Sequence, residues 1–395
     1  MKKIAKISLV AAIAVAGFTT ANAQPLEEAI KNVDVTGSVV YRYNDVSNDI
    51  VGGQSAQDNN YKVALNLASK VNEDVKFNSR FLVGSQANGS FTTLNQDVAD
   101  GQADVSLSNA YFGYTGLKNT TVNVGKQGLT TPWTVAVDSD NNEQTGTSIL
   151  ALSTVGPVTF AGAYFNQTNL NASTDARIND TAITNVVAGD RDIATVGVIG
   201  TFAPVTVDAW FLDTQDLFDT YTVGAKAATE VSGVKLTGDA RFASLTFDGV
   251  DEEANTLTKF VVTADAGLVD GKLAYAMTDK DGGLTALDND AATTLIGWSL
   301  NANGKADADY IQAVLGFDIL SNLNLSANYG NIEWTPAANT TREQEEVYAQ
   351  LLYKMSKNLS TYVRYGTFTD ETTTAGTTSE ANDDVRGRLQ VEYTC

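Results

Sequence analysis

The sequence contains no histidine and a single cysteine, Cys395. Without histidine, the Ser-His-Asp, Cys-His and histidine–metal arrangements of catalysis are excluded. A lone cysteine excludes an intramolecular disulfide. Proline is also scarce, at 5 residues against 32 glycines, and proline is the residue that breaks the hydrogen-bonded ladder of a strand. We therefore expect a protein that is not an enzyme, with a composition that suits long β-strands.

Positive charge and long apolar runs are also lacking. The chain has 26 lysines and arginines against 47 acidic residues, a formal charge of −21. Nucleic-acid binding needs a basic footprint, so we expect no nucleic-acid partner. After Gly17 no apolar run reaches the roughly 18 residues of a membrane-spanning helix. An exported chain with these properties is soluble in the periplasm, secreted, or a β-barrel.

The first 23 residues have the three parts of a secretory signal. Lys2, Lys3 and Lys6 form a positive start, the stretch 7–17 is apolar, and Ala21-Asn22-Ala23 is a small-residue cleavage site. We expect residues 1–23 to be removed on export. The remaining residues, 24–395, then form a single domain.

The mature chain repeats short segments in which apolar and polar residues alternate. In one of them, Val75, Phe77 and Phe81 share a face, whereas Lys76 and Arg80 share the other. This period of two is typical of β-strands. The segments are about ten residues long, as a tilted strand needs to cross a bilayer. The alternative is a soluble antiparallel sheet with one wet face.

The connections between these segments alternate in length. Short turns are expected at 70–74, 115–119, 154–157, 202–204, 230–233, 270–271, 319–322 and 356–358. Most connections between them are expected to be about 10 to 30 residues long, as are the outer loops of outer-membrane barrels. Eight hairpins give sixteen strands, and the first and last strands of the chain add two. These two must pair with each other, because lipid cannot satisfy the hydrogen bonds of an open edge. The sequence therefore predicts an all-β transmembrane barrel of about eighteen antiparallel strands. The strand-like stretch 293–300 is assigned to an outer loop, 280–308.

A barrel of this size leaves an aqueous channel, so the inward-facing charges become informative. Seven basic residues lie on the inward faces of the first three and the last two strands: Arg42, Lys62, Lys76, Arg80, Arg364, Arg386 and Arg388. An eighth, Lys126, lies at the end of the fifth strand. Closure makes the two ends of the chain neighbours, which predicts one basic pore wall. The alternative is that these side chains merely solvate the lumen.

The connection at 128–146 is the candidate constriction loop. It contains Asp138, Asp140 and Glu143 and neither lysine nor arginine. An acidic loop folded inward against a basic wall would create a transverse field and favour cations. The alternative is an outer loop with solvated carboxylates. Asp138, Asp140 and Asn142 also have an alternating oxygen-ligand spacing, which makes them a candidate Ca²⁺ site although the glycine and distal glutamate of an EF-hand are missing. No other metal or cofactor is expected.

Two stretches resemble a known family. Pro-Leu-Glu-Glu-Ala-Ile-Lys-Asn-Val-Asp-Val-Thr-Gly at 25–37, followed by Tyr41-Arg42-Tyr43, resembles the mature N-terminus of the Campylobacter-type (epsilonproteobacterial) major outer membrane porins. Gly125-Lys126-Gln127 before Trp133 also resembles that family. The resemblance implies an eighteen-stranded barrel in the outer membrane of a Gram-negative bacterium. It also implies a homotrimer that passes small hydrophilic solutes with some cation preference.

Three functions therefore compete. The first is a porin for passive diffusion of small hydrophilic solutes and cations, embedded in outer-membrane lipid and lipopolysaccharide. The second is a surface adhesin whose outer loops, at 84–104, 166–192 and 280–308, bind a partner without needing an open lumen. The third, an outer-membrane hydrolase, is disfavoured by the absence of histidine. Electrical conductance separates the first two.

Overall fold

The protein is described by a computed structural model that covers residues 33–85, 89–93, 104–170, 189, 191–249 and 253–395. The expected signal sequence, 1–23, lies outside the described residues. Eighteen long strands form one antiparallel sheet: β1 Val33–Asn48, β2 Ala56–Lys70, β3 Val75–Gly84, β4 Asp104–Tyr114, β5 Thr120–Gly128, β6 Thr145–Val155, β7 Val158–Thr168, β8 Ile193–Phe202, β9 Val205–Thr214, β10 Phe218–Val231, β11 Val234–Phe247, β12 Asn255–Asp265, β13 Val269–Thr278, β14 Asp309–Leu320, β15 Leu323–Ala337, β16 Thr340–Lys354, β17 Leu359–Thr374 and β18 Thr377–Thr394. The two-residue segment Thr92–Thr93 pairs with the edge of β2.

The sheet closes on itself. Strand β1 pairs with β18 in a register that runs from Ser38 opposite Thr394 to Asn48 opposite Asp384. Each remaining strand pairs with its neighbours in sequence. The expectation of a closed eighteen-stranded barrel is confirmed. Within the described ranges, no helix is both long and apolar enough to cross a membrane.

The polarity of the two faces of the sheet is the reverse of that in a soluble protein, because the apolar face is on the outside. Large apolar side chains such as Val35, Leu65 and Phe112 point outward and are 55%, 40% and 51% exposed. Arg42 and Lys62, on the opposite face, are buried inside the barrel. An apolar exterior and a polar interior are what a membrane barrel requires. The soluble-sheet alternative is therefore wrong.

Seven of the eight short turns lie where the sequence predicts them, and one does not. The turn expected at Asp270-Gly271 lies at 266–268, between β12 and β13. Gly267 adopts a φ of 89°, which glycine tolerates, and its amide donates to Asp265 Oδ1 at 2.8 Å. Gly271 instead pairs with Leu315 within the ladder. An Asp-Gly dipeptide is common in turns, which is why the sequence predicted a turn at Asp270-Gly271. The turn is instead formed next to Asp265 and Gly267.

The expectation that most outer connections are long is wrong. Long connections occur at 85–103, 129–144, 169–192 and 279–308, whereas β15–β16 and β17–β18 join through two residues each. Strands β15 to β18 contain 15 to 18 residues and continue beyond the length that crosses a bilayer. Their outer ends are rich in threonine, a β-branched residue that favours strands. Pairs such as Thr373 opposite Thr378 maintain the ladder there.

Candidate functional site

The connection between β5 and β6, residues 129–144, is called here the acidic loop. It lies against the inner face of β1, β2 and β3 through two of its carboxylates. Asp140 Oδ1 is 2.8 Å from Arg42 Nη1 and 3.7 Å from Arg388 Nη1. Arg42 also donates from Nη2 to the carbonyl of Ser139 at 2.8 Å. The two ends of the chain therefore supply arginines to the same loop residue.

Glu143 is the more enclosed of the two carboxylates, at 2% exposure. Lys62 Nζ and Arg80 Nη2 each lie 2.8 Å from its Oε1. The Ser108 hydroxyl is a third partner of the carboxylate. Burial alone would raise the pKa of Glu143, but hydrogen bonds from Arg80 and the positive charges of Lys62 and Arg80 outweigh it and hold the pKa below its usual value.

Ser108 reaches Glu143 because of a β-bulge. Arg80 pairs with Asn109 and Phe81 pairs with Leu107, so Ser108 on β4 has no cross-strand partner. A bulge of this kind changes the direction in which side chains point. Ser108 therefore faces the interior next to Asn109, to which its hydroxyl is also within hydrogen-bonding distance, 3.3 Å. Sequence alternation alone did not reveal this residue.

Asp138 is directed into its own loop. Its carboxylate accepts hydrogen bonds from the amide nitrogen and the side chain of Asn142, both at 2.8 Å. Two of the expected Ca²⁺ ligands, Asp138 and Asn142, thus bind each other, whereas the third, Asp140, pairs with Arg42. Within the part of the chain that the structure describes, no group of three His, Cys, Asp or Glu side chains is arranged to hold a metal ion.

The connection between β13 and β14, residues 279–308, is called here the long loop, and it also lies inside the barrel. Glu346 on β16 accepts hydrogen bonds from the backbone amides of Trp298 and Ser299 at 2.9 and 2.7 Å. On β12, Lys259 Nζ donates to the carbonyl of Thr294 at 2.8 Å. Leu300 and Ala302 are fully buried. A loop held in this way is unavailable as the external binding surface that the adhesin alternative needs.

The two loops contact each other directly. The amide of Leu287 donates to the carbonyl of Trp133 at 2.8 Å, and the amide of Ser139 donates to Asp290 Oδ2 at 2.7 Å. Trp133 and Leu287 are fully buried and belong to one apolar cluster. The acidic loop and the long loop therefore form one partition across the barrel interior.

Between this partition and the strands β14 to β18 lies a cavity of about 520 Å³, called here the charged cavity. Arg364 borders it, with its guanidinium 5.0 Å from the ring centres of both Trp298 and Tyr348. Arg42 and Arg388 border it with Asp140. Cation–π contacts of this kind hold a guanidinium in a fixed position.

The remaining basic residues of the expected wall are scattered. Arg386 binds Asp384 on its own strand and donates to the Ser299 hydroxyl at 2.6 Å. Lys76 is exposed beside the turn that precedes β3. Lys126 departs from the expectation: it pairs with Ala110 on the outer face, and its ammonium donates to the carbonyl of Leu107 at 2.8 Å. The strand alternation gives the interior position to Gln127 instead.

Sequence reasoning missed the long loop as part of the site. One signal was present, because Leu284, Leu287, Leu295 and Leu300 are more apolar than a solvated outer loop requires. Outer loops that face solvent are mostly polar, whereas several leucines in one loop indicate that it packs against protein. Glu346, by contrast, carries no signal of its own in the sequence.

A closed barrel with an apolar exterior, with loops crossing a charged interior, defines an outer-membrane channel. The chain belongs to the Campylobacter major outer membrane protein family, whose sequence profile matches residues 1–395. It is an outer-membrane porin and not an enzyme. A comparison with curated proteins returns no match.

Solved structures of outer-membrane channels share the fold. Pseudomonas aeruginosa OccK3 (OpdO) is 18% identical with a TM-score of 0.72, over 94% of this chain and 98% of that one. Pseudomonas aeruginosa OccK9 (OpdG) is 16% identical with a TM-score of 0.74, over 93% and 99%. Acinetobacter baumannii OccAB3 is 14% identical with a TM-score of 0.73, over 92% and 99%. At these identities the likeness concerns the fold alone.

Proposed function

We propose that this porin is a passive path for small hydrophilic solutes and ions, narrowed by the acidic loop and selective for cations. One ion pair carries the proposal. The side chain of Arg42 is 4% exposed, whereas that of its partner Asp140 is 48% exposed. At the charged cavity, the member of the pair that faces water is therefore the carboxylate.

The surroundings of Asp140 strengthen its effect on ions. Asp138 and Asp290 border the same cavity and carry the same sign of charge. The guanidinium of Arg364 is engaged by Gln350 Oε1 at 2.7 Å as well as by aromatic rings. Carboxylates at a narrow passage with low-dielectric walls attract cations and repel anions.

The test is a reversal potential measured in planar bilayers under a potassium chloride gradient. Asp140→Asn keeps an oxygen that accepts from Arg42 but removes the charge. A unit charge about 8 Å away across water stabilises a cation by about 0.5 kcal/mol and destabilises an anion by the same amount, so the cation-to-anion permeability ratio should fall by about fivefold. Glu73→Gln, in the exposed turn between β2 and β3, is the control and should not change the ratio. An unchanged ratio in Asp140→Asn contradicts the proposed selectivity.

The proposal includes assembly and export. The family resemblance supports a homotrimer, for which native mass spectrometry of the detergent-solubilised protein is the test. Cleavage after Ala23 is tested by N-terminal sequencing of the mature protein, which should begin at Gln24.

Lipopolysaccharide is the proposed outer-leaflet partner, bridged by divalent ions to the acidic connection that begins at Asp248. Burial, together with the neighbouring carboxylates of Asp219 and Asp216, raises the pKa of Asp248. Chelation of divalent ions should then release co-purified lipopolysaccharide.

A further inference from the structure

A second cavity, called here the neutral cavity, lies on the opposite side of the acidic loop from the charged cavity. It has a volume of about 390 Å³ and is lined by the inner faces of β4 to β9 together with Thr130 and Thr131 of the loop. This volume lies within the range of about 300–1,000 Å³ that ligand pockets span. None of the described residues that line it is charged. The same loop thus presents carboxylates to one side and threonines to the other.

Trp210 provides a flat aromatic surface in this cavity. It lies directly opposite Gly197 on the neighbouring strand, in a pair whose side chains share one face. A Cβ atom on Gly197 would lie 2.2 Å from the indole carbons Cδ2 and Cε3. The ring therefore covers the glycine backbone and lies along the barrel wall. The indole also packs against the apolar cluster that contains Trp133, and part of its surface borders the cavity.

Polar groups for hydrogen bonding surround this surface. Asn123 Nδ2 donates to Gln127 Oε1 at 3.2 Å, and Gln127 Nε2 donates to the Ser148 hydroxyl at 2.5 Å. This chain fixes the two amides and leaves Asn123 Oδ1 as an acceptor. Within the described part of the chain, the Tyr111 hydroxyl and the Trp210 indole N–H have no hydrogen-bond partner. The cavity therefore offers both donors and acceptors without any charge.

We infer that the neutral cavity is a binding subsite for uncharged polyhydroxylated solutes, with a pyranose sugar as the type of ligand. A pyranose has an apolar face of C–H groups that matches the ring surface that Trp210 presents to the cavity, while its hydroxyl groups match Tyr111 and the fixed amides. Aromatic rings combine a large apolar contact with such polar neighbours. A charged solute would lose hydration there without finding a counter-charge. The inference rests on the proposed open diffusion path, through which the solute reaches the cavity.

The experiment measures binding of methyl α-glucoside to the detergent-solubilised porin by saturation-transfer NMR. Trp210→Ala should weaken binding by about five- to tenfold, in keeping with the worth of aromatic contacts. Phe211→Ala, the lipid-facing neighbour on the same strand, is the matched control and should bind as the wild type does. Gly197→Ala should also weaken binding, because its methyl group displaces the indole from the wall.

Three results separate the outcomes. Equal binding by the wild type and Trp210→Ala would overturn the inference, as would an absence of glucoside binding by a preparation that conducts ions. Heat-dependent gel migration reports whether each variant is folded, and Trp210→Phe, which keeps an aromatic face, should retain most of the binding. A folded preparation that conducts no ions would instead refute the proposed diffusion path.

Discussion

Glu143 shows how a single residue fixes a loop inside the barrel. It is buried, and its carboxylate forms ion pairs with Lys62 of β2 and Arg80 of β3 and accepts a hydrogen bond from Ser108 of β4. Breaking a buried ion pair by removing one partner costs about 3–5 kcal/mol because the other charge remains buried. The acidic loop therefore depends on this carboxylate for its position, whereas Asp140 contributes the charge that faces the channel.

The ionisation of Glu143 should make the loop sensitive to acid. Its pKa lies below its usual value of 4.5, so its ion pairs stabilise the loop fully above that pH. The stabilisation is lost as the pH falls through the lowered pKa. We expect open-channel current noise to rise in the wild type only below about pH 4.5.

The variant Glu143→Gln tests the same contact at neutral pH. It lacks the charge and should show at pH 7 the current noise that the wild type acquires only in acid. Glu73→Gln, an exposed residue in the turn between β2 and β3, is the control and should behave as the wild type. Quiet, pH-independent currents in Glu143→Gln would show that the carboxylate does not hold the loop.

At the scale of elements, strand patterns were predictable and loop positions were not. Alternation revealed which face of β3 is apolar, because lipid and water impose opposite requirements on the two faces. It could not reveal how far β15 to β18 extend, since backbone pairing continues beyond the membrane without changing the pattern. Nor could it place the long loop, because contacts such as Glu346 with Ser299 join residues 47 positions apart in sequence.

The position of charged residues was predicted in part. Arg42, Lys62 and Arg80 contact the acidic loop, as does Arg388 from the other end of the chain, because closure brings β1 beside β18. Lys126 was misplaced because the glycine that precedes it obscures the alternation of β5. The sequence spacing of Asp138, Asp140 and Asn142 could not show that Asp138 accepts a hydrogen bond from the amide of Asn142 within its own loop.

The long loop should reduce the open cross-section of the channel. Its base is already closed by a hydrogen bond of 2.9 Å from the amide of Gly304 to the carbonyl of Gly283, so residues 284–303 can be replaced by a two-glycine link. Removing material from the lumen of a wide barrel should raise single-channel conductance by about twofold or more.

A matched deletion distinguishes the lumen from the outer surface. Removing residues 51–53, in the exposed connection between β1 and β2, should leave the conductance unchanged. Unchanged conductance after the excision of 284–303, in a barrel that still migrates as folded, would show that the long loop does not obstruct the path.

At the scale of the whole molecule, the barrel interior is divided by chemistry. The partition formed by the acidic loop and the long loop has the charged cavity of about 520 Å³ on one side and the neutral cavity of about 390 Å³ on the other. Ions and uncharged solutes thus meet different walls of one barrel. The division follows in part from the order of strands, because Arg42, Arg364 and Arg388 of the charged cavity lie on β1, β17 and β18, which closure makes adjacent.

The most direct test of the account is a single-channel recording of the purified wild-type protein with neutral polymers of increasing size. We expect stepwise conductance that small polymers reduce and large polymers leave unchanged, together with a reversal potential that indicates cation preference. A folded barrel that produces no conductance steps, or steps with anion preference, would contradict it.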